Sequence, residues 1–277
     1  MNVPRAQQSP ALFLALLASL GGCGGGGYGD PPSEPLGNEY GNGDRLCEVV
    51  GEATWLDAAQ TPASCNKPLD HGVYATGVSI IAIDRFDETG DGAVGNYYVQ
   101  DTVCAGKPYS GMTVFSPSFS PPDLRLADHD VVDINGQLTE FIGPASSNFG
   151  YCRTLPEISG TLIFRFDGHG PPAPVVVDVA ELKSYATARP WLGMLVKVEN
   201  LTLASNGANS GGRFTAQIAV GGGVVASDVP RITNELYDIE GAGPELKEGA
   251  VFKSVTGILT YFYGFHIAPR SPADFEQ

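Results

Sequence analysis

An acidic, glycine-rich segment between two apolar stretches has oxygen-bearing side chains at the spacing of a calcium loop. Asp87, Thr89 and Asp91 alternate along it, and Gly92 follows. Alternating oxygens can turn toward one cation, and glycine permits the tight bend of such a loop. The segment is only half of an EF-hand, because Tyr98 occupies the position of the final carboxylate. The sequence therefore predicts either a weak calcium site or an acidic hairpin tip without a ligand, and no other cofactor.

Aromatic side chains supply a second candidate for chemistry, a platform on which the rings or bases of a ligand stack. Strand alternation places Tyr98 and Gln100 on one side of a predicted strand, and Tyr97 and Val99 on the other. Either set can face a ligand, and either can belong to the core. The residues predicted to form the platform are Tyr97, Tyr98, Gln100, Phe115, Tyr261 and Tyr263.

Catalytic motifs are absent from the sequence. No segment has the spacing of a zinc-protease helix, a serine nucleophile elbow or a phosphate-binding loop. His129 lies between Asp128 and Asp130, a triplet in which carboxylates could orient an imidazole. We interpret this triplet as solvated surface, and His266 as a residue in the wall of a barrel. The chain is predicted not to be an enzyme.

The elements that position these residues are predicted to be short strands. The chain has 36 Gly and 21 Pro among its 277 residues, which disfavours long helices. Strands are predicted at 73–83, 96–101, 111–115, 130–141 and 161–166, and again at 192–203, 213–219, 223–227, 250–262 and 264–268. Short helices are predicted around 179–185 and 231–237. Gly136 and Gly257, in the middle of long strands, predict a bulge or a change of strand partner.

The two sets of strands form an internal repeat. Residues 95–100 match residues 212–217, both with a glycine, an aromatic ring and a glutamine. Residues 134–141 match residues 255–262 through identical Gly, Leu, Thr and Phe. Matches in the same order at nearly constant spacing indicate a tandem duplication. The fold class is predicted to be all-β, with barrels at 46–170 and 171–277.

The N-terminus carries an export signal. Residues 1–22 contain Arg5 and an apolar run too short to span a bilayer, and they end in Leu-Gly-Gly before Cys23. This ending resembles a bacterial lipobox, in which the cysteine takes a lipid and becomes the new N-terminus. The alternative is ordinary cleavage near Gly22. Residues 23–45 are predicted to be a disordered tether rich in Gly and Pro. The protein is expected to be exported as an outer-membrane or cell-surface lipoprotein.

Four cysteines remain if Cys23 is acylated, and an even number in an oxidising compartment favours disulfides. They are Cys47, Cys65, Cys104 and Cys152. Of the three pairings open to them, we favour Cys47 with Cys65 and Cys104 with Cys152. No C-x-x-C pair occurs, which makes a zinc cluster improbable.

Three segments of the first unit, 97–101, 111–115 and 135–141, resemble the OB-like barrels found in bacterial secreted nucleases. Residues 189–196 and 267–274 resemble the second such barrel. The resemblance covers roughly residues 72–277 and implies two tandem five-stranded OB-like barrels. The sequence departs from the family at Leu192, where a glutamate is usual. Since the chain ends at Gln277, we expect the nuclease domain to be absent.

Charge limits the partners that such barrels would accept. The formal net charge is −15, and the acidic excess is concentrated in residues 23–172. Nucleic acid is therefore the less favoured partner. We expect a lipid-anchored, non-catalytic binding or scaffolding module for an extracellular polymer or protein, with a glycan, a peptide or an envelope protein as partner. The alternatives are a nucleic-acid-binding accessory to a secreted nuclease and a purely structural surface lipoprotein.

Overall fold

The computed structural model of the chain describes residues 43–51, 67–90, 95–115, 126–150, 152–165, 170–210, 212–222 and 229–277. All of them belong to one compact unit, residues 40–277. The predicted signal peptide, the predicted lipid acceptor Cys23 and nearly all of the predicted tether lie outside the described residues. The last tether residues are not free of the fold, since Asp44 forms an isolated bridge with Ala75.

The described residues of the N-terminal half form one short helix and five strands. They are α1 (Leu46–Val49), β1 (His71–Ile83), β2 (Tyr97–Asp101), β3 (Gly111–Phe115), β4 (Val131–Phe141) and β5 (Leu155–Arg165). These strands close into a barrel in the order β1-β2-β3-β5-β4. All neighbours are antiparallel except β3 and β5, which are parallel.

In the C-terminal half, the residues that the structure describes form two short α-helices and eight strands. The helices are α2 (Tyr185–Ala188) and α3 (Ile239–Ala242). Short 3-10 helices occupy Val179–Lys183, Arg189–Trp191 and Pro272–Asp274. The strands are β6 (Val175–Val176), β7 (Leu195–Thr202), β8 (Ala208–Ser210), β9 (Arg213–Gln217), β10 (Arg231–Thr233), β11 (Val251–Tyr261), β12 (Phe265–Ala268) and β13 (Phe275–Glu276).

The sheet of the C-terminal half is open, so a second closed barrel is not shown. Its strands run in the order β6-β7-β11-β12-β10-β9-β8, and β13 pairs with β11. The neighbours from β7 to β9 follow the same circular order as β1 to β5 in the barrel, and β10 and β12 are again the parallel pair. Where β7 and β9 would have to pair, the structure has only an isolated antiparallel bridge between Leu203 and Ile218.

Most of the predicted strands are confirmed. The structure differs from the prediction at the start of one strand and at one predicted helix. β5 begins at Leu155, six residues before the predicted start. The helix predicted around 231–237 is wrong, because Arg231–Thr233 is a strand held between β9 and β12. The strand predicted at 223–227 lies outside the described residues. The helix predicted around 179–185 is confirmed as a 3-10 turn whose N-cap Asp178 accepts from the Ala180 amide.

Of the two mid-strand glycines, only one marks a change of partner. Gly136 pairs directly with Gly160 in an unbroken β4–β5 register, so the bulge predicted there is wrong. A Cβ on Gly136 would lie 2.8 Å from the Gly160 Cα, which explains glycine on both strands. At Gly257 the prediction is confirmed, since β11 leaves β13 before this residue and pairs with β12 after it.

The barrel interior is filled by inward-facing apolar side chains of its strands. They include Ile80, Val99, Met112, Val114 and Ile134, and Leu46 of α1 covers one end. The second core fills the C-terminal half. A third cluster joins the two halves, and its members are Ile81, Ala82, Tyr98, Leu195, Leu236, Ile258 and Ala268.

The favoured disulfide pairing is wrong, because Cys47 is bonded to Cys104. This bond ties α1 to the loop after β2. Buried Asp101 holds the same two segments, since its carboxylate accepts from the Leu46 amide at 3.1 Å and from the Cys104 amide at 3.0 Å. Cys152 is also disulfide-bonded, and Cys65 lies outside the described residues.

Candidate functional site

A cleft of about 360 Å³ opens between the barrel and the C-terminal sheet. The barrel wall contributes residues of β2, β3, β4 and β5, and the opposite wall comes from β9, β11 and the segment after β10. Five aromatic rings and three charged groups line it: Tyr98, Phe115, Phe141, Tyr261, Phe262, Glu157, Arg213 and Glu235. We call this space, which Thr113 also lines, the interface cleft.

Strand alternation explains which barrel residues reach the interface cleft. On β2, Val99 points into the barrel core while Tyr98 points outward. On β3, Met112 points inward while Thr113 and its second neighbour Phe115 point outward. Successive side chains of a strand lie on opposite faces, so a filled barrel interior leaves the other set for the cleft.

Glu235 is the carboxylate held most firmly in the cleft. The Tyr98 hydroxyl donates to its Oε1, and Thr260 donates to its Oε2 at 3.1 Å. Burial, and after it the charge of Glu235, raises the pKa of Tyr98 well above its ordinary value. Tyr98 therefore remains a neutral donor that links β2 to the C-terminal half.

Arg213 is the cationic side chain among the described residues that line the cleft. It contacts Glu88 from the loop after β1, with Nη2 at 2.9 Å and Nε at 3.0 Å from the same carboxylate oxygen. Its guanidinium lies over the Phe262 ring, 4.5 Å from the ring centroid. Burial raises the pKa of Glu88, while Arg213 lowers it, so the pair is a partly desolvated ion pair.

Two further carboxylates have strongly raised pKa values. Burial, with the charges of Glu235 and Glu88 adding to it, raises the pKa of Asp84 to about 7. Burial, with the charge of Asp70 adding to it, raises the pKa of Glu157 to about 7. Both groups therefore change charge near neutral pH, where an ordinary carboxylate is fully ionised.

The structure brings together three of the six predicted platform residues. Tyr98, Phe115 and Tyr261 line the interface cleft. Tyr97 packs against the barrel core, and Gln100 is buried with its Oε1 accepting from the Leu195 amide at 3.1 Å. Tyr263 packs on Phe149 outside the cleft. The open strand face expected from the sequence is therefore mostly an intramolecular interface.

The predicted calcium loop is only partly visible. Asp87 Oδ1 accepts from the Gly90 amide at 2.8 Å and closes a tight turn. Thr89 lies beside Gly212, and Asp91 lies outside the described residues. Within the described ranges, no three His, Cys, Asp or Glu side chains are grouped so that they could hold a metal ion.

The histidines of interest occupy different surroundings. His129 is exposed in a turn with φ of 77°, and its amide donates to the Ile80 carbonyl at 2.7 Å. His266 is buried on β12, where burial and nearby Arg213 and Arg231 lower its pKa to about 3. A neutral imidazole in the wall of the sheet agrees with the interpretation made from the sequence.

Sequence reasoning did not identify Glu157, Arg213 or Glu235 as site residues. Glu157 lies in the part of β5 that the strand prediction left out. Glu235 follows β10, which was predicted as a helix. Only the pairing of β10 with β9 and β12 brings Glu235 opposite Tyr98, and no local pattern carries that information.

Comparison of the chain with protein-family models, with curated proteins and with solved structures found no match. In the part of the chain that the structure describes, no helix has both the length and the apolar composition needed to cross a membrane.

Proposed function

We propose that this chain is a non-catalytic binding protein of the cell envelope, and that its ligand is part of an extracellular polymer or protein held in the interface cleft. The cleft itself is the observation that carries the proposal. Its volume and its apolar lining with a few polar groups are typical of ligand sites. Aromatic rings beside fixed carboxylates suit a ligand that has both an apolar face and hydrogen-bond donors.

The architecture behind this proposal is a pair of OB-like barrels, of which the second is opened. The shared circular strand order supports this proposal. The parallel pairs also occupy the same place in that order, β3 with β5 in the first half and β10 with β12 in the second. In such barrels, strands two and three form the binding face. Here that face of the first barrel is covered by the second half, except at the interface cleft.

Nucleic acid remains the less favoured ligand. The cleft residues include Glu157 and Glu235, and Arg213 is already paired with Glu88. Phosphate contacts need cations that are available to replace counterions. A purely structural lipoprotein would not require such a cleft, and it becomes the favoured function if no ligand saturates it.

Display at the cell surface rests on the lipobox-like N-terminus. If Cys23 carries a lipid, the mature protein partitions into detergent and its mass exceeds that of the polypeptide. Cys23→Ser should abolish both properties. A wild-type mature protein that lacks fatty acid would contradict the anchor without affecting the proposed binding site.

The binding function is tested by a screen of glycans, peptides and oligonucleotides against the chain from residue 24 onward, with and without calcium. We expect saturable binding that Phe115→Ala weakens, because this ring lines the cleft and is 46% exposed. Val176→Ala removes an apolar side chain elsewhere that is 61% exposed, and it serves as the control. Binding that resists Phe115→Ala would place the ligand site elsewhere, and turnover of any ligand would contradict a non-catalytic function.

A further inference from the structure

The interface cleft contains more negative charge than its own cation can balance. Arg213 is committed to Glu88 at 2.9 Å. Among the described residues, neither Glu157 nor Glu235 takes part in an ion pair. Hydrogen bonds from Tyr98 and Thr260 replace part of the hydration that Glu235 loses, and a cation in the cleft would stabilise the ionised form of both carboxylates. The negative charge of the cleft therefore favours the binding of a cation that the chain itself does not provide.

The aromatic lining of the cleft suits a cation as well. Arg213 already lies 4.5 Å from the centroid of Phe262, which shows that ring faces at this site accept positive charge. The ring of Phe115 is half exposed and lines the same cleft. Phe141 and Tyr261 extend the apolar wall on which an aliphatic stem can pack.

The Thr113 hydroxyl, which lines the cleft, is a second observation that favours a ligand group and does not depend on the charges. Thr113 is 3% exposed and lines the cleft, and its Oγ1 has no hydrogen-bond partner in the described structure. Buried polar atoms are normally satisfied, so an orphan in a cleft wall is a position that a ligand group can complete. Glu157 is the β5 residue paired with Thr113, so a carboxylate and a hydroxyl stand on adjacent strands.

We infer that the interface cleft binds a primary ammonium group on an aliphatic stem. This rests on the proposed function and names the chemistry of its ligand. The ammonium would donate to the carboxylate of Glu157 and to the hydroxyl of Thr113, with Glu235 contributing charge from the opposite wall. The stem lies along Phe115. A lysyl side chain, a diamine and an amino sugar all present this group.

Binding of this group is linked to the protonation of Glu157, because only the ionised carboxylate attracts a cation. Burial places the pKa of Glu157 near 7, so binding strengthens as the pH rises through 7 and releases a proton near that pH. Asp70, which pairs with Lys67, is the charged group that acts on Glu157, and Arg213 and Glu235 line the same cleft.

The test is calorimetry on the full chain with 1,5-diaminopentane, N-acetyl-lysine methylamide and glucosamine, each paired with its fully N-acetylated counterpart, and with N-acetylagmatine as a guanidinium that has no primary ammonium. We expect the ammonium probes to bind at least about tenfold more tightly than their acetylated forms, and about tenfold more tightly at pH 8 than at pH 6. The heat should depend on the buffer near pH 7, because a proton is released. The probe that binds best identifies the source of the ammonium group.

Glu157→Gln should lower the affinity about tenfold and remove the pH dependence. Glu245→Gln, which changes an exposed carboxylate outside the cleft, is the matched control and should alter neither. If Glu157→Gln lowers the melting temperature, Phe115→Ala tests the same site through its ring. Equal binding of the acetylated probes, or tightest binding of N-acetylagmatine, would overturn the ammonium assignment and leave the proposed function standing. No binding of any probe also overturns the assignment, and the proposed function fails only if the wider screen is negative as well.

Discussion

Asp84 is a carboxylate whose environment disfavours its ionised form. Its side chain is 5% exposed, and its Oδ1 has no partner in the described structure. The chain retains this carboxylate close to Glu88 and Glu235, although burial and both charges oppose its ionisation. A group in such surroundings lowers the stability of the fold whenever the pH forces it to ionise.

The sign of this effect gives a prediction for Asp84→Asn. The pKa rises from 3.8 to about 7 on folding, so the stabilising contribution is full below pH 3.8 and is lost as the pH rises toward 7. Asparagine keeps the shape and never ionises. We therefore expect the variant to gain on the order of 1–3 kcal/mol in the free energy of unfolding at pH 8.5, and much less at pH 5.

Urea unfolding at both pH values measures the difference. Asp128→Asn, at an exposed carboxylate in a turn, is the control and should change the free energy of unfolding little at either pH. An Asp84→Asn variant with the same small gain at pH 5 and at pH 8.5 would show that Asp84 is not protonated in the folded wild type.

At the scale of elements, a buried ion pair joins the two halves. Arg189, 2% exposed, contacts Glu140 of β4 through two hydrogen bonds of 2.7 and 3.2 Å. Its Nη1 also donates to Thr154 at 3.2 Å and to Tyr185 at 3.0 Å. The clamp therefore links β4 and the segment before β5 to the short helices that precede β7.

Removal of the cation from this clamp should be costly. Arg189→Met retains an apolar stem but leaves Glu140 buried without its partner, and we expect a loss of about 3–5 kcal/mol in the free energy of unfolding. Lys247→Met breaks the exposed pair with Glu245 and should cost less than about 1 kcal/mol. Chemical denaturation of both variants makes the comparison, and equal costs would show that the clamp contributes nothing beyond a surface pair.

Close backbone approach is the second device that joins elements across the interface. A Cβ on Gly111 of β3 would lie 2.4 Å from Met194 Cγ and 2.5 Å from the Gly193 carbonyl carbon. Gly193 has φ of 74°, and a Cβ there would clash with the Met112 backbone. Both glycines are needed because β3 and the segment just before β7 are in backbone contact.

Gly111→Ala should therefore destabilise the fold by about 1–3 kcal/mol, because backbone must shift to admit one methyl group. Gly72→Ala on β1 is the matched control, since nothing lies within 4 Å of its Cβ position, and it should be neutral or slightly stabilising. Thermal unfolding reports both. A neutral Gly111→Ala would mean that the two halves separate more readily than the contacts indicate.

At the scale of the whole molecule, the two halves share one apolar cluster. Ile81, Ala82 and Tyr98 of the barrel pack with Leu195 and Ile258 of the C-terminal sheet. Such a surface would be a large exposed apolar patch on an isolated barrel, and patches of this kind promote association. The halves therefore stabilise each other.

Residues 40–170 expressed alone should bind a hydrophobic dye and self-associate, whereas addition of residues 171–277 should restore a soluble 1:1 complex. Size-exclusion chromatography and dye fluorescence measure both effects. The double substitution Ile81→Ser with Ala82→Ser is expected to improve the solubility of the isolated half. If residues 40–170 alone, without any substitution, are monomeric and unfold cooperatively, the two halves do not depend on each other for stability.

The amino-acid sequence by itself determined what acts over a few residues. Alternation along β2 already separated Tyr97 from Tyr98, and the bounds of β1, β3 and β4 followed from apolar runs between turns. Tertiary structure alone decided what those faces meet. Cys47 bonds Cys104 because barrel closure brings α1 to the end of β2, and Glu157 and Glu235 share a cleft only because two sheets pack face to face. Partners so distant along the chain leave no periodic trace, since their proximity depends on the packing of every element between them.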